Sequence, residues 1–268
     1  MGVDPLYLLD SHCHLTDSPL CEDREAVLQR AAAAGVRAYV VPGYNLLSSR
    51  AACRLAAARA EVVAGIGLHP AWIEAEKKFD PEPFRQLARL RAPRAIGEIG
   101  LDYALPGFQA ELQAEVLTAQ LELAELLGLP VILHCRRAFE PLYLILRKFP
   151  RITGVIHAFA GGLIMAEKFM ELGYYLGLGG ALTRVEAQKL RQLAAQVPAE
   201  RLLLETDAPY LGSATVAKGQ SQPADLAATA RALAEIRGWD LEEVAAVTLA
   251  NARRLFGDVF PEITGNHL

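Results

Sequence analysis

The chain has 268 residues, 52% hydrophobic and 22% charged, with 27 basic and 31 acidic side chains giving a formal net charge of -4. That balance belongs to an ordinary globular fold with a large core, and it excludes a disordered polyelectrolyte. It also excludes a broad basic face that would grip nucleic acid by net charge alone, although bound cations could still supply local positive charge.

The opening M-G-V-D-P-L-Y-L-L-D carries no charged leader or cleavage site, and no apolar run reaches the roughly 20 residues of a membrane span. No membrane association is expected. Cysteines 13, 21, 53 and 135 form no C-x-x-C pair, so free thiols in a reducing cytoplasm are the expectation.

Short apolar, β-branched segments alternate with longer Ala/Leu-rich amphipathic ones throughout. Strands are expected to begin near Tyr7, Val36, Val62, Arg94, Val131, Gly154, Tyr174 and Arg201. Helices are expected over Asp23–Ala34, Ser48–Ala60, Gln109–Leu127, Glu140–Phe149, Ile164–Leu172 and Val185–Gln196, with two more near Asp225–Arg237 and Leu241–Phe256. Buried strands alternating with helices imply a parallel sheet with right-handed crossovers. Six strands would suit an open doubly wound sheet. Eight in this length favour an α/β fold of the (β/α)8 TIM-barrel class, formed as one domain over residues 1–268.

Five of the six histidines fall at C-terminal ends of expected strands: His12 and His14 after the first, His69 after the third, His134 at the fifth and His157 at the sixth. Glu98 ends the fourth and Asp207 follows the eighth. In a parallel barrel those ends share one face, where barrel chemistry is sited. Strand alternation puts His12 with His14, His134 with Arg136, and Glu205 with Asp207, while Cys13 and Cys135 point the other way and are read as structural.

Taken singly, a strand histidine is most simply a hydrogen-bonded core residue and a carboxylate a salt-bridge partner. An H-x-H pair joined by two further imidazoles and two acids on one face is better explained by a shared electrophile. His12, His14, Glu98, His134, His157 and Asp207 are therefore the expected metal ligands. Six ligands exceed one tetrahedral ion, so two divalent cations are expected, with one carboxylate bridging them. None of the six lysines ends an expected strand, which leaves Glu98 as the bridge rather than a carbamylated lysine. Mixed N/O ligation without thiolate leaves Mg, Mn, Zn and Ni open.

The stretches D-S-H-C-H at 10–14, G-L-H-P at 67–70, G-E-I-G-L-D-Y at 97–103, P-V-I-L-H-C-R at 130–136, H-A-F at 157–159 and E-T-D-A-P-Y-L at 205–211 occur in that order. As a set they resemble the TatD family of metal-dependent hydrolases, among the amidohydrolase-type barrels. The resemblance implies a (β/α)8 fold, a dinuclear site and magnesium-dependent DNase activity of the 3′-5′ exonuclease type, with single strands or 3′ ends of DNA as substrate. It assigns His12, His14 and Asp207 to one metal, His134 and His157 to the other, and Glu98 to both. His69 would touch substrate rather than metal. Two stretches depart from the pattern: Gln222 stands where the family's Asn is expected, and the third histidine motif reads H-A-F-A-G with Ala158. Both bear on substrate choice.

The expected mechanism is hydrolysis by hydroxide activated between the metals, with Asp207 orienting it and accepting its proton. Arg136 and His69 would stabilise the developing charge, and Asp102 and Glu205 would orient ligands from behind. The alternative substrate class is a small-molecule amide, lactone or ester. A metal-stabilised scaffold without turnover is the third reading, although such structural sites are usually closed and cysteine-rich.

Overall fold

Parallel strands buried on both faces read as short, mostly apolar runs, and the eight strands here are of that kind, with polar residues such as Asp10, Asp102, His134 and Arg136 gathered toward their C-terminal ends. In the computed structural model, which describes residues 6–74 and 79–261, they are β1 (Leu8–Asp10), β2 (Val36–Pro42), β3 (Val62–Ile66), β4 (Ala95–Asp102), β5 (Val131–Arg136), β6 (Gly154–Ile156), β7 (Tyr175–Leu178) and β8 (Leu202–Leu204). They hydrogen-bond in chain order from β1 to β8. Beyond the ladders, β1 and β8 continue to meet: Ser11 N–H donates to the Leu204 carbonyl at 2.9 Å, Asp207 N–H to His12 at 2.8 Å, and His14 N–H to Ala208 at 2.8 Å. Eight parallel strands closed in this way form the expected (β/α)8 barrel.

Among the described residues nine α-helices accompany the strands: α1 (Arg24–Ala33), α2 (Leu46–Ala58), α3 (Glu82–Arg91), α4 (Ala110–Leu127), α5 (Phe139–Leu146), α6 (Leu163–Glu171), α7 (Gln188–Gln196), α8 (Leu226–Arg237) and α9 (Leu241–Phe256). Helix α4 ends where Gly128 takes a left-handed φ of 64°, its N–H returning to the Ala124 and Glu125 carbonyls. Helix α9 begins at Asp240, whose carboxylate accepts the Glu243 N–H. Eight helices match the expected ones to within a few residues. Helix α3 is an addition to the expected set: its buried Phe84, Leu87 and Ala88 do follow the i, i+3, i+4 spacing of a helix face, over a single short segment. The C-terminal His267 lies outside the described residues.

The chain divides into two compact units that interleave in sequence. The first comprises Met1–Val40, Arg59–Val62 and Leu178–Leu268, and the second Val41–Ala58 and Val63–Gly177. In the first, α9 packs on β1 and β8, and the buried amide of Asn251 ties it to β8 and the turn before it by donating to the Leu202 and Ala199 carbonyls, both at 2.8 Å. In the second, α4 packs along β4 over a core that includes Ile96, Ile99, Leu101, Leu117 and Leu121.

The β4–β5 pairing sets up the site. Ile96 pairs with Val131 and Ile99 with Leu133, so β4 spends one residue more than β5 over that interval. Such a bulge re-aims the side chains within it, here including Glu98, whose N–H donates to Gly43 at 2.7 Å. Immediately afterwards Gly100 has a φ of 149°, and a Cβ on it would lie 1.9 Å from the His134 carbonyl oxygen. Only a glycine allows the two backbones this close. Gly100→Ala is expected to cost at least about 3 kcal/mol, lowering the Tm by roughly 6–12 °C in a thermal melt. A Tm within 2 °C of the parent would contradict the close approach.

Candidate metal centre

In the first unit, His12 and His14 follow β1 with their extended backbone maintained by the parallel bridge of Cys13 to Ala208. Alternation therefore holds, and their imidazoles meet with Nε2 atoms 3.2 Å apart. The Asp207 Oδ1 lies 3.3 Å from His14 Nε2 and 3.6 Å from His12 Nε2. Asp207 itself adopts a left-handed φ of 51°, so the alternation expected to put it on the same face as Glu205 does not extend to it. Glu205 is fully buried at the end of β8, its N–H donating to the Leu178 carbonyl at 3.2 Å.

Asp10 and Thr206 brace this half, and neither was among the expected site residues. The Asp10 Oδ1 accepts the Thr206 N–H at 3.0 Å and the His12 N–H at 3.3 Å, while Oδ2 accepts the Thr206 hydroxyl at 2.6 Å. The same hydroxyl accepts the Ala208 N–H at 3.1 Å. Burial pushes the Asp10 carboxyl up to about 8 against the pull of those bonds. A carboxylate two residues before a histidine was the visible signal. Nearby, the Tyr210 hydroxyl donates to Asp17 at 2.6 Å while its ring lies edge-on to His14.

In the second unit one carboxylate oxygen is the focus. Glu98 Oε1 lies 2.9 Å from His157 Nε2, 3.2 Å from His134 Nδ1 and 3.5 Å from His69 Nε2. His134 Nδ1 and His157 Nε2 are 3.2 Å apart, and the other nitrogen of His134 meets Asp102 Oδ2 at 3.2 Å. Arg136, on the same face of β5 as His134, extends to the same Asp102 oxygen at 4.0 Å with its side chain 63% exposed, so most of the guanidinium faces solvent. Burial opposes ionisation of both Asp102 and His134. Burial is the largest single influence on each, but the opposing interactions together exceed it: the bonds from His134 and the Ala104 N–H lower the Asp102 carboxyl, and those to Asp102 and Glu98 raise the His134 imidazole.

His69 differs from the other imidazoles. Its Nδ1 accepts the Ala71 N–H at 3.0 Å, which leaves the proton of a neutral ring on Nε2, pointed at Glu98. Burial drives its pKa down to about 4 despite that carboxylate, so the ring is neutral at pH 7. Such a tautomer presents a hydrogen-bond donor to Glu98, while His69, Glu98 and His134 also lie close enough together to share an ion.

The donor chemistry fits divalent cations. Two imidazole nitrogens and a carboxylate oxygen, each about 2.1 Å from a common point, would be separated by roughly 2.9–3.5 Å. The His12–His14–Asp207 separations run from 3.2 to 3.6 Å and the Glu98–His134–His157 separations from 2.9 to 3.2 Å. Thiolates take no part. Cys13 is buried with its thiol held well above the usual range, and burial pushes Cys135 up to about 12. All four cysteines are free.

Two buried glutamines of α4 also escaped the sequence reading. Gln113 accepts the Asp102 N–H at 2.8 Å and donates to the Asp102 carbonyl at 3.0 Å. Gln120 does the same for Leu68, at 2.7 and 3.0 Å. Two amides seven residues apart on an otherwise apolar helix face were the available clue.

A family model described as TatD related DNase matches residues 9–257. The chain belongs to the TatD family. It is 38% identical over 252 residues to a protein of Escherichia coli named uncharacterized metal-dependent hydrolase YjjV, covering 92% of this chain and 97% of the relative. It is 36% identical over 258 residues to the 3′-5′ ssDNA/RNA exonuclease TatD of Erwinia amylovora, covering 93% of this chain and all of that one. The crystal structure of the E. coli YjjV protein superposes with a TM-score of 0.88 over 93% of this chain and 97% of its own. As a TatD-family member the protein is a metal-dependent hydrolase acting on ester bonds. No helix among the described residues is long and apolar enough to cross a membrane.

The two positions expected to depart from the family pattern, Gln222 and Ala158, have defined local settings. Gln222 accepts from Arg30 Nε at 2.8 Å, and its N–H donates to Asp225 at 2.8 Å, closing the short 3₁₀ turn at Pro223–Asp225. Ala158 occupies a left-handed φ of 45°, directly after His157. Thr206→Val keeps side-chain volume but leaves the Ala208 N–H unmatched and removes a donor from Asp10. It is expected to lower stability by about 1–3 kcal/mol in urea unfolding at constant m; an unchanged midpoint would refute the bracing role.

Proposed function

We propose that this TatD-family hydrolase cleaves phosphodiester bonds of DNA, as a 3′-5′ exonuclease acting on single strands or 3′ ends. The reading rests on two donor triads, each of two imidazoles and a carboxylate: His12–His14–Asp207, and His134–His157–Glu98. In a parallel barrel the C-terminal ends of the strands share one face, which supports His12, His14, Asp207, Glu98, His134 and His157 as the residues that would hold two divalent cations. The Erwinia amylovora relative's name supports the choice of substrate and polarity. Four free thiols are in keeping with a reducing cytoplasm.

When bound, two divalent cations would supply an acidified water and a positive field for a phosphoryl oxygen. The remaining roles fall to the chain. Asp207 accepts a proton from the attacking water, Asp102 keeps the His134 ring oriented, and His69 offers its Nε2 proton to a negatively charged oxygen. Arg136, largely exposed beside Asp102, meets the phosphate backbone. Glu205 orients the His12 side of the centre from behind. Magnesium, manganese, zinc and nickel all suit this mixed nitrogen and oxygen set.

Protein stripped with a chelator should lose digestion of a 3′-labelled single-stranded oligonucleotide and regain it with Mg or Mn. His134→Ala should lower the restored rate at least about 100-fold, since it removes a ligand together with the Asp102 contact. Hydrolysis of a lactone panel, with no DNA degraded under saturating metal, would replace the nuclease reading with the small-molecule one. Chelation that lowers the Tm steeply in a protein that turns over neither substrate class would replace it with the scaffold reading.

A further inference from the structure

Helix α4 carries Gln113 and Gln120 seven residues apart, two turns, on the face it turns inward with Val116, Leu117, Leu121 and Ala124. They are 4% and 1% exposed. A buried primary amide on an apolar stripe is costly unless both ends are matched. Here each amide is matched by the N–H and the carbonyl of one residue, a two-point clasp that imitates a β-ladder pair.

The residues chosen are what matters. Asp102, clasped by Gln113, is the last residue of β4 and holds His134 Nε2 at 3.2 Å. Leu68, clasped by Gln120, directly precedes His69, whose N–H is anchored on Tyr44 at 3.0 Å and whose Nε2 faces Glu98. Two turns of helix span roughly 10.5 Å, so one rigid element fixes the spacing between the backbone that aims Asp102 and the backbone that aims His69. The carbonyl of the first and the ring of the second cannot drift independently.

We propose that Gln113 and Gln120 are positioning residues for the reaction: Gln113 fixes the His134 ring through Asp102, and Gln120 fixes the His69 donor. This rests on His134 and His69 belonging to the catalytic centre and is independent of which ester is cleaved. The alternative is that the amides only complete the fold, as buried polar groups commonly do.

The isosteric variants Gln113→Met and Gln120→Met remove both bonds while keeping the volume, and Leu121→Ala on the same helix provides a purely packing loss. The first readout is the imidazole nitrogen spectrum of the metal-free protein, which reports ring tautomer and hydrogen bonding without any turnover. Gln113→Met should shift the His134 nitrogens and leave those of His12 in place, and Gln120→Met should shift those of His69. Leu121→Ala should shift none of them. The second readout is hydrolysis of a generic phosphodiester, bis(p-nitrophenyl) phosphate, at saturating Mn. For the two glutamine variants kcat should fall about 10–100-fold with KM within twofold, whereas Leu121→Ala should retain parental kcat at a temperature where it is folded.

Unmoved His134 and His69 nitrogens in the glutamine variants would overturn the proposal even if the enzyme proved inactive on every nucleic acid. So would glutamine variants that behave like Leu121→Ala in both readouts. Should either Met variant fail to fold, Gln113→Glu and Gln120→Glu keep the accepting oxygen and the side-chain length. If these too unfold where Leu121→Ala does not, the amides belong to stability alone.

Discussion

Neutral imidazoles do not seek one another in a protein interior. Packing several of them around carboxylates, with nitrogen atoms about 3 Å apart, leaves lone pairs facing lone pairs and negative charge away from water. A polar cluster of that kind is tolerated only where something positive resolves it, and a divalent cation is the simplest agent with the right charge and the right number of vacancies. The strand ends, the bulge in β4 and the bracing around Asp10 all serve to hold such donors in place.

The scaffold meets that demand by making the backbones near the donors rigid and unusually close. Gly100 lets β4 press against the His134 carbonyl, and Asp10 joins the segment after β1 to the segment after β8 through Thr206. Around the proposed ligands lie further polar groups whose bonds go to main chain: Gln113 and Gln120 on strand-end peptides, and His69 Nδ1 on a following N–H. Main-chain partners cannot rotate away, so orientation passes from the helices to the imidazoles with little slack.

Much of this was legible in the residues alone. Period and length separated strands from helices, and the position of His12, His14, His134, His157, Glu98 and Asp207 at strand ends singled them out, because few other reasons place that many imidazoles there. Parity along β1 and β5 put His12 beside His14 and His134 beside Arg136, as the structure has them. What sequence could not give was geometry that depends on tertiary pairing. Asp10 looked like any strand-end acid until Thr206, almost two hundred residues away, was seen to bond it. Gln113 and Gln120 drew no reading from the sequence, since nothing local says which backbone they meet. The alternation rule also broke at Asp207, where the chain leaves its extended path.

That break has a bearing on how this aspartate can be studied or replaced. A left-handed backbone is comfortable for asparagine and aspartate and uncomfortable for most other side chains. Position 207 is thus filtered twice over, once by charge and once by torsion. Removing the side chain altogether would merge two separate injuries, whereas the amide, equal in size and equally at ease with that torsion, silences the charge alone.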